Sequence, residues 1–323
     1  MIVGRDSTRM TTLKDLLDAR LMRAIDGLDL ASRRTMSGTM PGERRAKRRG
    51  SSVEFDDFRE YADGDDLRHV DWNIAARHDR LVVKLFREEQ DLSLHIMLDL
   101  SASMCAGVPS KAVTAARLAV GLAYLALARN NRVQCSLLGL PVGRLNCTLA
   151  PMRGKSAVHA LATSLLEAWP QPPFAPPARA IQEDVREAFR AASTRGVVVL
   201  FSDLLDAATV PQIAESLFRR LSQGGEREAF VYQMLAPSEI DPAIDAPSGI
   251  AGDVQLIDIE RARTVDATIT PVAAQHARDK AQAFVARIAA AARGQGVHHR
   301  LLTSDMDLTQ VLVRTLRRDG LLA

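Results

Sequence analysis

Asp99, Ser101 and Ser103 stand at alternate positions directly after an apolar run, Leu92-Ser93-Leu94-His95-Ile96-Met97-Leu98. If that run is a buried strand, the turn beyond it presents one carboxylate and two hydroxyls. An oxygen-only donor set suits Mg²⁺, Mn²⁺ or Ca²⁺ rather than zinc or copper. One formal negative charge holds such an ion loosely and leaves room for an acidic ligand, which describes docking better than catalysis. The same residue types also serve as plain turn and helix-capping groups. The elements around them therefore have to decide.

From Leu92 onward the pattern alternates between short apolar runs and longer helical periods. Strands are expected at 92–98, 132–139, 196–202, 228–235, 254–258 and 297–303. Helices are expected at 110–129, 156–168, 180–193, 209–222, 270–293 and 307–318. Such alternation predicts an α/β fold, a mostly parallel sheet covered by helices on both faces. Gly196-Val197-Val198-Val199-Leu200-Phe201 reads as a buried central strand, being apolar without alternation. Open sheets of this kind bind ligands beyond the carboxyl ends of their strands. Asp99 sits at one such end, and Asp203, preceded by Ser202, sits at another. The two carboxylates are expected to converge on one ion.

Before the sheet region the chain is organised differently. Residues 13–30 carry Leu13, Leu16, Leu17, Leu21, Ala24, Ile25 and Leu28 at helical spacing, with Thr12 as a cap. A basic arm follows, with Arg33-Arg34 and Arg44-Arg45-Ala46-Lys47-Arg48-Arg49 among glycines and a proline. Residues 50–90 then mix acidic, aromatic and arginine residues densely. The expected domains are 1–49 (helix and basic arm), 50–90 (a segment packed on the sheet domain) and 91–323 (the sheet domain). The proline-rich stretch from Pro170 to Pro177 can only be a connection.

Composition narrows the function classes. With 323 residues and 47% hydrophobic content the chain can build a substantial core. A net charge of +3, and a basic arm without interleaved aromatics, give nucleic-acid binding no support. Cys105, Cys135 and Cys147 are odd in number and lack CxxC spacing, which suits reduced thiols in the cytoplasm. The longest uncharged apolar run, Leu118 to Ala128, is too short to insert into a bilayer. Gly154-Lys155-Ser156 lacks the first glycine of a phosphate-binding loop, since position 149 is Leu149. No Gly-x-Ser-x-Gly nucleophile elbow is present.

Asp99-x-Ser101-x-Ser103 with a later Asp203 resembles the metal-ion-dependent adhesion site of von Willebrand factor A domains. The usual Thr-Asp-Gly of the later loop reads Ser202-Asp203-Leu204 here. The resemblance implies a hydroxyl from a second loop; Ser156 is the candidate and Thr148 the fallback. It also implies a doubly wound, mostly parallel sheet and a Mg²⁺ ion (or Mn²⁺ or Ca²⁺) completed by a partner's carboxylate.

A longer stretch is similar to one bacterial group, domain of unknown function 58. It comprises Gly50, Glu54-Phe55, Arg59, Tyr61, Gly64-Asp65-Asp66, Arg68, Asp71-Trp72, Ala76-Arg77, Lys84 and Glu88. That similarity implies a MoxR-type AAA+ ATPase as partner, with an unidentified client protein, in chaperone-like assembly or maturation. Glu54, Arg59, Asp65, Asp66, Arg68, Asp71, Trp72 and Arg77 would then form either an internal ion-pair lattice, with Trp72 and Phe55 anchored by burial, or a docking face. The expectation is a cytoplasmic, non-enzymatic, metal-dependent binding module. The rival readings are an oligomerisation scaffold with a vestigial metal site and a metal-assisted hydrolase.

Overall fold

The computed structural model describes residues 12–31, 53–67, 70–78, 80–88, 92–105, 109–141, 147–171, 179–190, 196–205, 211–223, 227–242, 252–258 and 263–323. The basic arm, Arg68 and the stretch 172–177 lie outside them. The chain divides into two units, Met1–Ser37 with Leu92–Ala323, and Gly38–Asp91. The described residues 12–31 fall in the first unit together with the sheet strands.

Two short helices, α1 (Leu13–Leu16) and α2 (Ala19–Ile25), stand where one helix over 13–30 is expected. The break falls at Asp18, whose carboxylate accepts the Leu21 N–H at 2.7 Å and caps the second helix. A short acidic side chain that bonds its own backbone favours a helix start over a helix interior. Leu16, Leu17, Leu21 and Ile25 are buried in the main core all the same.

The smaller unit pairs β1 (Val53–Glu60) with a later strand across a two-turn helix, α3 (Trp72–His78). That strand is β2 (Val82–Glu88), antiparallel to β1, with a register irregularity between Phe55 and Asp57.

The larger unit continues with β3 (Ser93–Asp99), α4 (Ala102–Cys105), α5 (Lys111–Ala128), β4 (Arg132–Leu138), β5 (Cys147–Thr148), α6 (Ala157–Ala168) and α7 (Ile181–Arg190). Next come β6 (Gly196–Ser202), α8 (Pro211–Ser222), β7 (Arg227–Leu235), α9 (Pro237–Ile240), β8 (Gly252–Asp258) and β9 (Arg263–Ile269). The chain closes with α10 (Pro271–Gly294), β10 (His298–Thr303), α11 (Leu308–Gln310), a π-helical turn at Val311–Thr315, and α12 (Leu316–Asp319). The main sheet has the order β10-β7-β6-β3-β4-β5. Its first five strands are parallel and β5 is an antiparallel edge.

One expected strand is placed elsewhere. Residues 254–258 fall in β8, which pairs with β9 as a separate antiparallel hairpin. The reason is the connection: β9 begins at Arg263, and a parallel crossover needs about a dozen residues or more.

Strand alternation distributes the core between the two faces. Leu94, Ile96 and Leu98 of β3 join one apolar cluster with α5, α6 and the terminal helices. Met97, between them, joins the other with α7, α8 and α10. Helix α5 is long and apolar enough, by length and composition, to cross a membrane, yet it is mostly buried as the core helix of this domain. Where β6 starts beside β3, Gly196 has φ +111° and a Cβ there would strike the Ser93 carbonyl. Only glycine allows the two central strands to pair at that point.

The sheet order places the topological switch beside β3. The chain leaves β3 for β4 on one side and returns to β6 on the other. The helix after β3 lies on one face and the helix after β6 on the opposite face. That arrangement leaves a crevice beyond the carboxyl ends of β3 and β6.

Candidate functional site

The crevice is lined by Asp99, Ser101, Ser103, Gly139, Arg179, Ile181, Ser202, Asp203, Leu204 and Leu205. Asp99, Ser101, Ser103 and Asp203, expected from the sequence to meet, therefore do share one cleft. Asp99 ends β3 and is buried. Its Oδ1 accepts the Ser101 N–H at 2.9 Å, and its Oδ2 accepts the Ser202 hydroxyl at 2.6 Å. The Ser101 and Ser103 hydroxyl oxygens are 3.1 Å apart. Two ligands at right angles on Mg²⁺, each about 2.1 Å from it, would be about 3.0 Å apart. That spacing, with a carboxylate beside it, suits a hard cation.

Electrostatics in the cleft are unusual. Burial, then the charge of Asp203, push the Asp99 carboxyl up to about 7, against the hydrogen bonds from Ser202 and Ser101. Asp203 is itself buried and has both oxygens engaged. Its Oδ1 accepts the Leu205 N–H at 3.1 Å, and its Oδ2 accepts from Lys111 Nζ at 2.9 Å. Lys111, the first residue of α5, has a side chain with no exposed surface and donates also to Glu239 Oε1 on α9 at 2.6 Å. Burial works to lower its pKa, but Asp203 and Glu239 overcome that and raise it. Leu204 follows at φ +59° and is buried. It takes up the left-handed conformation that glycine would occupy without strain.

Two further residues shape the floor. Gly139, just past β4, has φ +68°, and a Cβ there would lie 2.7 Å from Asp99 Oδ1 and 2.8 Å from the Ser101 nitrogen. Its N–H donates to Asp184 Oδ2 of α7 at 2.8 Å, holding the end of β4 to that helix. Gly139→Ala is expected to cost about 2 kcal/mol through the strained φ and the displaced Asp99 loop. A lower thermal midpoint checks it.

The second-loop hydroxyl is corrected. β5 runs antiparallel to β4, so by Met152, which bridges Val133, the chain has returned to the opposite end of the sheet. Asp99 pairs with Leu138, five residues and about 16 Å along β4 from that point. Ser156 follows Met152 and is exposed at the start of α6. It therefore lies well away from the cleft. Thr148 is not there either; its hydroxyl is 2.9 Å from Ser136 Oγ, which is 2.8 Å from His95 Nε2. The connection that does reach the cleft contributes Arg179 and Ile181. Sequence from Pro170 to Ile181 contains no serine or threonine.

In the smaller unit Arg59 donates to Asp65 Oδ1 at 2.7 Å, and this bond first, then the Ala62 N–H, lowers the Asp65 pKa. Asp71 is buried and accepts the N–H groups of Asn73 and Ile74, capping α3. Trp72, expected to anchor by burial, is 60% exposed. It opens a helix that has no buried residue. Asp66 and Arg77 are exposed. Glu54 lies in β1 opposite Arg87, while Arg68 falls outside the described residues.

Fold and cleft define an α/β protein with an oxygen-lined crevice at the switch point of a mostly parallel sheet. Residues 57–290 match the model of the family described as "Protein of unknown function DUF58", and the chain belongs to that family. It is 26% identical over 319 residues to the "Uncharacterized protein Mb1516" of Mycobacterium bovis, covering 96% of this chain and 93% of that protein. The "Uncharacterized protein Rv1480" of Mycobacterium tuberculosis (strain H37Rv) matches to the same extent. Among solved structures, the conserved hypothetical protein BatB from Bacteroides thetaiotaomicron aligns with TM-score 0.38 and 12% identity, over 71% of this chain and 98% of that one. An aerotolerance-related membrane protein from Bacteroides fragilis aligns with TM-score 0.37, 14% identity and the same coverage. Both likenesses are too slight to transfer fold detail or function.

Proposed function

We propose that this chain is a non-enzymatic, von Willebrand factor A-like binding module that takes an acidic side chain of a partner protein in the cleft at Asp99. The observation that carries the reading is the pair of serine hydroxyls 3.1 Å apart beside a buried carboxylate at the switch point of the sheet. Asp99, Ser101 and Ser103 would hold Mg²⁺, which when bound supplies an open position for a carboxylate. Arg179 lines the same cleft with an exposed side chain, and among the described residues no carboxylate pairs with it. A planar guanidinium is suited to a partner carboxylate through two parallel hydrogen bonds. Among the described residues lining the cleft there is no histidine or cysteine. By the family resemblance the partner is a MoxR-type AAA+ ATPase, or a client delivered to it, in the cytoplasm.

A second reading has its own support. Lys111 already neutralises Asp203, and a cleft so neutralised suits a scaffold that needs no cation. Pull-down of a MoxR-type ATPase with Mg²⁺ and with EDTA separates the two. Capture is expected to fall at least about tenfold in EDTA, and equally in Ser101→Ala/Ser103→Ala with Mg²⁺ present, since each change removes the hard-oxygen site. Capture indifferent to both treatments favours the scaffold.

A further inference from the structure

Lys111, paired with Asp203 of the cleft lining, is a feature that a plain cation site does not call for. An ammonium without exposed surface is costly unless it is fully paired. At the first position of an α-helix it also sits against the positive end of the helix dipole. The fold nevertheless brings it Asp203 from the end of β6 at 2.9 Å and Glu239 from α9 at 2.6 Å. Glu239 is fixed in turn, because its Oε2 accepts the Ala236 N–H at 2.8 Å. Asp203, like Asp99, has a donor on each oxygen, but one of its donors is a charged ammonium. Any cation drawing on Asp203 directly must compete with a buried ammonium and a backbone N–H.

We infer that Lys111 is a built-in counter-ion that sets the cation affinity of this cleft. It takes up the charge of Asp203, keeps that carboxylate from ligating, and leaves Asp99, Ser101 and Ser103 as a weak site with a single carboxylate. The inference rests on the cation reading of the cleft proposed above, and it makes metal occupancy a reversible event instead of a condition of folding. A domain that carries its own cation keeps the end of β6 and α9 joined to the start of α5 with or without a divalent ion.

The test uses Mn²⁺ as probe, followed by its electron paramagnetic resonance signal and by calorimetry, on the full chain. Lys111→Met removes the competing charge at similar side-chain length. It is expected to bind Mn²⁺ at least about tenfold more tightly than the unaltered protein, since a unit charge this close to a divalent ion in a buried site weighs heavily. Its thermal midpoint should also rise with added Mn²⁺ by more than that of the unaltered protein. Lys111→Met/Asp203→Asn, which removes the two opposite charges together, is expected to change Mn²⁺ affinity by less than about threefold, because Asp203 serves the lysine and the pair is neutral as a unit. A Lys111→Met variant that binds no more tightly overturns the inference. So does a tenfold loss in Lys111→Met/Asp203→Asn, which stands as the deciding measurement if Lys111→Met does not fold. Tight binding by Lys111→Met alone, with none by the unaltered protein, upholds the inference and sinks the metal-dependent function. Unchanged affinity in Lys111→Met beside Mg²⁺-dependent partner capture does the reverse.

Discussion

Asp203→Ala is expected to destabilise the protein by about 3–5 kcal/mol, the usual cost of breaking a buried ion pair by deleting one partner. The change leaves Lys111, without exposed surface, supported by Glu239 alone. It also leaves the Leu205 N–H without the carboxylate oxygen that accepts it. At roughly 2–4 °C per kcal/mol for a domain of this size, the midpoint should drop by about 10 °C. Lys111→Met made on top of Asp203→Ala should recover part of the loss, because it removes the stranded charge. Positive coupling of about 1–3 kcal/mol in that double-mutant cycle is the expected signature of a direct pair. Strictly additive losses would show that the two residues act separately.

Acidification from pH 6.5 to 4.5 is expected to remove about 2–3 kcal/mol of stability through His95. The side chain is buried in β3, in edge contact with Phe189 and hydrogen-bonded to Ser136. Burial, then the charge of Arg227, lowers its pKa from 6.5 to about 3. A histidine depressed in the folded state contributes stability that is complete above pH 6.5. That stability is lost as the pH falls toward 3, because the unfolded chain takes up the proton first. His299, lowered to about 4 by burial and then by Arg293 and Arg300, acts in the same direction. Urea unfolding across this window should therefore show a slope of up to two protons, and His95→Gln should reduce it by about one. An unchanged slope in His95→Gln would mean that His95 is protonated in the folded protein.

These expectations differ in how far they could be read from the chain itself. Apolar periodicity and turn residues place the strands ending at Asp99 and Ser202, because a buried strand between helices leaves a local pattern. The parallel α/β character follows from that alternation, and with it the rule that ligands gather at the carboxyl edge. Asp99, Ser101, Ser103 and Asp203 share the cleft for this reason. β8 was legible as a strand, and its partner β9 also carries a strand period, with Val265, Ala267 and Ile269 alternating with Thr264, Asp266 and Thr268. That the two form a hairpin apart from the main sheet is decided by the tertiary pairing.

Ser156 shows where local reading ends. A hydroxyl at a helix start resembles a ligand in sequence, and only the antiparallel return of β5 carries it to the far end of the sheet. Trp72 is similar: an aromatic residue suggests burial, but its neighbours in three dimensions decide whether anything covers it.

What the amino-acid order determined by itself is the sequence of elements and the carboxyl-edge location of the oxygen donors, both consequences of short-range periodicity. The tertiary structure alone decided the company those donors keep. Lys111 lies 92 positions from Asp203 and 128 from Glu239 along the chain. Gly139 meets Asp99, and Asp184 holds Gly139 from 45 positions away, across shorter but still non-local separations. Pairing of this kind depends on strand order and helix placement, and no residue within a few positions of Lys111 announces it.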